Sequence, residues 1–60
     1  MLEYQEMVAL SDRFSVTIGG KWSVDVVKLR NELKHNYGLS EYVVQHVIFT
    51  MLDKGLIPNG

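Results

Sequence analysis

The side chains with the most chemical scope in this chain are His35, His46, the carboxylates, and a polar and aromatic run from Ser40 to Phe49. Metal and nucleophilic chemistry come first. The two histidines stand eleven residues apart on different predicted helices, which is no metal-ligand spacing, and the lack of cysteine removes thiolate ligands and disulfides. Serine, histidine and acid are all present, but without the strand–turn–helix motif that exposes a nucleophile. Gly19-Gly20 lacks the further glycines and the lysine of a phosphate loop and reads as a plain turn. The histidines therefore read as solvated or partly buried, and the chain as a non-enzyme with no cofactor, metal or small-molecule substrate.

Binding chemistry suits the same residues better. At 100° per residue, Val44, Val47, Ile48 and Met51 fall on one side of a helix, and Tyr42, Gln45, His46, Phe49 and Asp53 on the other. The first set reads as core. The second is unusual, because a solvent face rarely carries two aromatics. Facing a duplex, Gln45 can pair with an adenine edge and an apolar ring can touch a thymine methyl. Ser40 and the amides at the helix start can meet a phosphate. Lys28, Arg30 and Lys34, with Lys21 and Lys54, are the cations available to the nucleic-acid backbone. Facing a protein, Tyr42 and Phe49 with Trp22 are the residue types that anchor interfaces, for a partner or for self-association. Phe49 has a third reading, as a core residue packed under the N-terminal helix or the Trp22 strand.

Charge separates these uses. Six Lys and Arg against seven Asp and Glu give a net charge of −1, without the basic footprint from which phosphate contacts draw their affinity. Glu41 and Asp53 lie on the candidate reading helix itself and repel phosphate.

The elements that must position this face follow from periodicity. "MLEYQEMVALSDRF" reads as a first helix, with Glu3 and Glu6 favourable at its start and Ser11-Asp12 near its end. Phe14, Val16 and Ile18 alternate with polar residues, the signature of a strand. If Gly19-Gly20 turns a hairpin, a three-residue loop pairs Ile18 with Trp22 and Val16 with Val24 and keeps one apolar face, the expected register; the alternative is one short strand and a loop leading into the next helix. Ser23 is the expected N-cap of a second helix, with Asp25 in its first turn. Val26, Leu29, Leu33 and Tyr37 form its apolar stripe, and Gly38 stops it. Ser40 caps the third helix, residues 40–54, and Gly55 ends it. "LIP" reads as a short strand and Asn59-Gly60 as a hairpin turn, so the chain stops where a return strand is due. A shortened wing or a boundary inside a longer protein accounts for that.

Sixty residues make one domain, 1–60, and 47% hydrophobic content is that of a folded one. No apolar run approaches the roughly 18 residues of a membrane span. "MLEYQEMVAL" carries acids where a secretion signal carries cations. A soluble, cytoplasmic protein is expected.

With this order of elements, residues 22–57 resemble the winged helix-turn-helix superfamily. The carrying residues are Leu33 and Tyr37 before Gly38, then Leu39, Val44 and Val47, and the ending "MLDKGLI", similar to the passage from a recognition helix into a wing with Met51 at the usual leucine. Two positions depart from the pattern. Lys34 stands where many such turns carry a small residue, which together with Asn36 and Tyr37 points to a longer turn, and the wing is nearly absent. The resemblance implies a mainly α fold with a small β element, a three-helix helix-turn-helix, winged-helix-like. It further implies a double-stranded DNA-binding module in transcription or replication control, reading the major groove with helix 40–54. Winged helices also serve as protein-interaction modules, so docking through Trp22, Tyr42 and Phe49 is the alternative.

Overall fold

A computed structural model describes residues 2–59. These residues form three helices and one hairpin: α1 (Tyr4–Arg13), β1 (Ser15–Ile18), β2 (Lys21–Val24), α2 (Val26–His35) and α3 (Glu41–Asp53). The fold is mainly α with a small β element, and α2, a turn and α3 have the helix-turn-helix layout.

Helix α1 starts where the Glu6 carboxylate accepts from the Glu3 backbone N–H at 3.0 Å, one half of a capping box. It runs through Ser11-Asp12, its expected end, to Arg13. The reason is tertiary. Ser11 is buried, and its hydroxyl donates to the Leu56 carbonyl at 2.6 Å instead of capping its own helix. Met7 and Leu10 point into the core beside it.

The hairpin corrects the expected register. Ile18 pairs with Lys21, Thr17 with Trp22, Val16 with Ser23 and Ser15 with Val24, across a two-residue turn. Gly19 and Gly20 have φ of +58° and +78°, the two left-handed residues that a type I′ turn demands. That turn follows the natural twist of the strands. A three-residue loop would have kept one apolar face, but at the tip this face meets no core: Ile18 is 66% exposed. Turn geometry therefore decides the register, and only Val24, at the base, is buried. The ladder continues to the Asp25 N–H, which donates to the Phe14 carbonyl at 2.8 Å.

Ser23, the expected cap of α2, lies in β2. Asp25 takes the role, its carboxylate accepting from the Lys28 N–H at 3.1 Å. Leu29 and Leu33 are fully buried, whereas Tyr37 lies past the helix end and is exposed. The chain turns at Gly38, with φ of +66°. The Leu39 N–H reaches back to the Leu33 carbonyl at 3.1 Å, a wide closure that agrees with the longer turn expected from Lys34, Asn36 and Tyr37.

In α3 the Ser40 hydroxyl accepts from the Val43 N–H at 3.3 Å, the expected cap. Val44, Val47, Ile48 and Met51 are buried against α2 and α1 in one core cluster. The helix ends in a Schellman motif: Gly55 has φ of +74°, and the Leu56 N–H donates to the Met51 carbonyl at 2.8 Å. The expected strand at "LIP" does not form. Residues 56–59 are irregular, Ile57 plugs the core, and Leu56 is tied to Ser11. A strand needs a ladder partner, and among the described residues the hairpin strands pair with each other, between α1 and α2. The turn expected at Asn59-Gly60 includes Gly60, which lies outside the described residues. Among the described residues no helix is long and apolar enough to cross a membrane.

The Ser11 link is a sensitive point, because it joins α1 to the segment after α3. Ser11→Ala leaves the Leu56 carbonyl without its partner in a part-buried site and is expected to cost about 1–2 kcal/mol in urea unfolding. A loss below about 0.3 kcal/mol would show that water replaces the hydroxyl there.

Candidate functional site

Helix α3 buries one side completely and therefore presents the other. Tyr42 is 83% exposed and Phe49 58%, with Gln45 and His46 exposed between them. These four side chains line one shallow hollow of about 280 Å³. The core reading of Phe49 is thus corrected: Val44, Val47, Ile48 and Met51 already fill the inward side, and a helix of 3.6 residues per turn leaves position 49 outside.

A larger groove of about 560 Å³ runs alongside. It is lined by Leu2 and Glu6, by Tyr37 and Leu39 of the turn, and by Tyr42, Val43 and His46 of α3. Tyr42 and His46 border both hollows. The contributions of Leu2, Glu6, Tyr37 and Leu39 are not legible in the sequence, because they depend on the start of α1 lying beside α3 in the fold. Glu6 carries a local signal only for its place at a helix start.

The cations do not gather into one patch. Glu41, in the first turn of α3, accepts from Arg30 Nη1 and Lys34 Nζ at 3.4 Å each. Lys34, where a small residue was the pattern, thus reaches across the corner to the next helix instead of blocking it. Lys28 lines a different hollow, with Arg13, Phe14 and Asp25. Lys54 lies 5.7 Å over the Tyr4 ring, and Lys21 sits at the hairpin tip opposite Ile18. Trp22 is 48% exposed on the hairpin and lines neither hollow beside α3. Of the candidate residues, Tyr42, Gln45, His46 and Phe49 come together, with Ser40, Arg30 and Lys34 at the start of the same helix.

Arg13 and Glu32 form a further ion pair at 3.0 Å, and Asn36 Nδ2 donates to the same carboxylate at 2.7 Å, bracing α1 against α2. Among the described residues no group of three His, Asp or Glu is placed to hold a metal ion. Comparison with protein-family models, curated proteins and solved structures yields no match to this chain.

The shared Glu41 contact joins exposed groups at long distances, and such pairs contribute little. Glu41→Gln is expected to change unfolding free energy by less than about 1 kcal/mol, with the difference shrinking as salt rises. A larger, salt-independent loss would mean that the corner itself is held by this carboxylate.

Proposed function

We propose that the chain is a protein-association module whose contact surface is the outward face of α3. The observation that supports this best is an exposed aromatic face whose neighbouring cations are already engaged. Tyr42 and Phe49 offer large rigid surfaces, and His46 and Gln45 add polar edges. Interfaces favour this composition, with aromatic anchors at the centre and charge at the rim. Glu6 borders the adjoining groove, Glu41 holds Arg30 and Lys34, and Asp53 continues the helix face.

Duplex DNA binding is the second reading, favoured by the helix-turn-helix layout and by Ser40, Gln45 and His46 on the presented helix. It asks the same face to approach phosphates. The charges there come close to balance: Arg30 and Lys34 share Glu41, Glu6 and Asp53 add two acids, and Lys54 follows Asp53. Phosphate contacts gain their free energy from releasing condensed counterions, and each needs a cation free to replace them. The electrostatics support a protein partner over a duplex.

Two measurements test this. In titration against random-sequence duplex DNA at low ionic strength, no appreciable binding is expected. Affinity that falls steeply with added salt would overturn the protein reading in favour of the duplex. The Tyr42→Ala/Phe49→Ala double variant is expected to remain folded, within about 1 kcal/mol of the parent, because both rings lie mostly in solvent. A loss of several kcal/mol would assign the rings to folding instead of contact.

A further inference from the structure

We infer that the tip of the hairpin is a contact site for a membrane surface that carries anionic lipid. It is a second surface, separate from the α3 face, and it holds whatever that face meets. Two observations coincide there. The first is apolar exposure. Ile18 is 66% exposed and Trp22 48%, and Val27 at the start of α2 is 70% exposed, whereas the core takes only Val24 from the hairpin. The second is charge. Among the described residues Arg13, Arg30 and Lys34 are held in ion pairs, and Lys54 lies over the Tyr4 ring. The two remaining cations, Lys21 and Lys28, are both here. Lys21 faces Ile18 across the turn, and Lys28 borders one hollow with Val16, which shares the Ile18 face of β1. Between Phe14 and Asn31 the one acid is Asp25, and its carboxylate is occupied in capping α2.

These residue types select the occupant. Lysine is depleted at the centre of protein interfaces, yet Lys21 sits between Ile18 and Trp22. A single nucleic-acid strand uses rings to stack on, and Ile18 and Val27 offer it none. A lipid interface favours the whole set: a Trp ring at headgroup level, an aliphatic side chain beside it, and lysines whose stems follow apolar surface while the ammonium stays in water. Ile18 and Trp22 belong to neighbouring cross-strand pairs and so lie on opposite faces of the hairpin, and a tip that enters edge-on seats both at once. The backbone limits the depth. Gly19 and Gly20 form an open turn whose polar groups need water, so the tip reaches the headgroup region and no further. So few side chains make a weak, reversible contact that depends on anionic lipid.

Trp22 is the one tryptophan of the chain and reports on its own site. The chain is mixed at low ionic strength with vesicles of phosphatidylcholine and phosphatidylserine in equal parts, and with vesicles of phosphatidylcholine alone. Co-sedimentation and a blue shift of Trp22 emission are expected with the first and not with the second. Lys21→Gln is expected to weaken binding roughly fivefold, the worth of one cation at an anionic surface. Ile18→Ser should weaken it at least as much. Both positions are exposed, so the circular-dichroism spectrum should not change. The Tyr42→Ala/Phe49→Ala variant is expected to bind vesicles as the parent does, which separates this site from the α3 face. No co-sedimentation with the mixed vesicles overturns the membrane contact. Co-sedimentation that leaves Trp22 emission unmoved, or that survives Ile18→Ser intact, places lipid on another surface and overturns the assignment of the tip. A Trp22 response to a single-stranded oligonucleotide with none to vesicles makes nucleic acid the occupant instead.

Discussion

The structure depends on the packing of α3 across α2. Leu29 and Leu33 on one helix, and Val44, Val47 and Met51 on the other, are almost wholly removed from water. Each buried side chain of this size is worth about 1.5–3 kcal/mol in transfer terms. A 60-residue chain has few such groups to set against its conformational entropy. Because α3 gives four positions, Val44, Val47, Ile48 and Met51, to the core, its remaining positions are fixed in direction. Tyr42, His46 and Phe49 are outside because Val44, Val47, Ile48 and Met51 are inside. The exposed face is thus a geometric consequence of the core, while its aromatic character is a property of the sequence.

The hairpin and the C-terminal segment serve the same corner from its ends. The hairpin contributes Val24, leads into α2 through Asp25, and leaves its tip in solvent. The segment after α3 returns Ile57 to the core, and its Leu56 carbonyl receives the Ser11 hydroxyl from α1. Electrostatics are peripheral to stability and instead set the charge that the surface of α3 presents. Glu41 draws Arg30 and Lys34 to the start of α3, which lowers the positive field that side presents and leaves Asp53 to face outward at the other end.

Much of this was legible in the sequence. The Leu29 and Leu33 stripe, the Ser40 cap, the Gly38 and Gly55 stops and the division of α3 into two sides all follow from local rules of period and backbone conformation. The misreadings share one cause, since each turned on a tertiary circumstance. Ser11 ends no helix because Leu56 engages its hydroxyl. Ser23 caps nothing because the ladder carries it into β2. The two-glycine turn won over apolar pairing because Ile18 has no core beneath it. The strand at 56–58 lacks a partner, so Ile57 is used as a plug. The outward placement of Tyr42, Gln45 and His46 was likewise readable from one helix. The groove bordered by Leu2, Glu6, Tyr37 and Leu39 was not, since it exists only once the start of α1 lies beside the turn and α3.

The central claim is the proposal that the Tyr42 to Phe49 face of α3 meets a protein partner and not a duplex. Nuclear magnetic resonance of the amides and side chains during addition of random-sequence duplex DNA at low ionic strength tests it most directly. The claim predicts that the signals of Tyr42, Gln45, His46 and Phe49 do not move. Salt-sensitive shifts centred on those residues would contradict it.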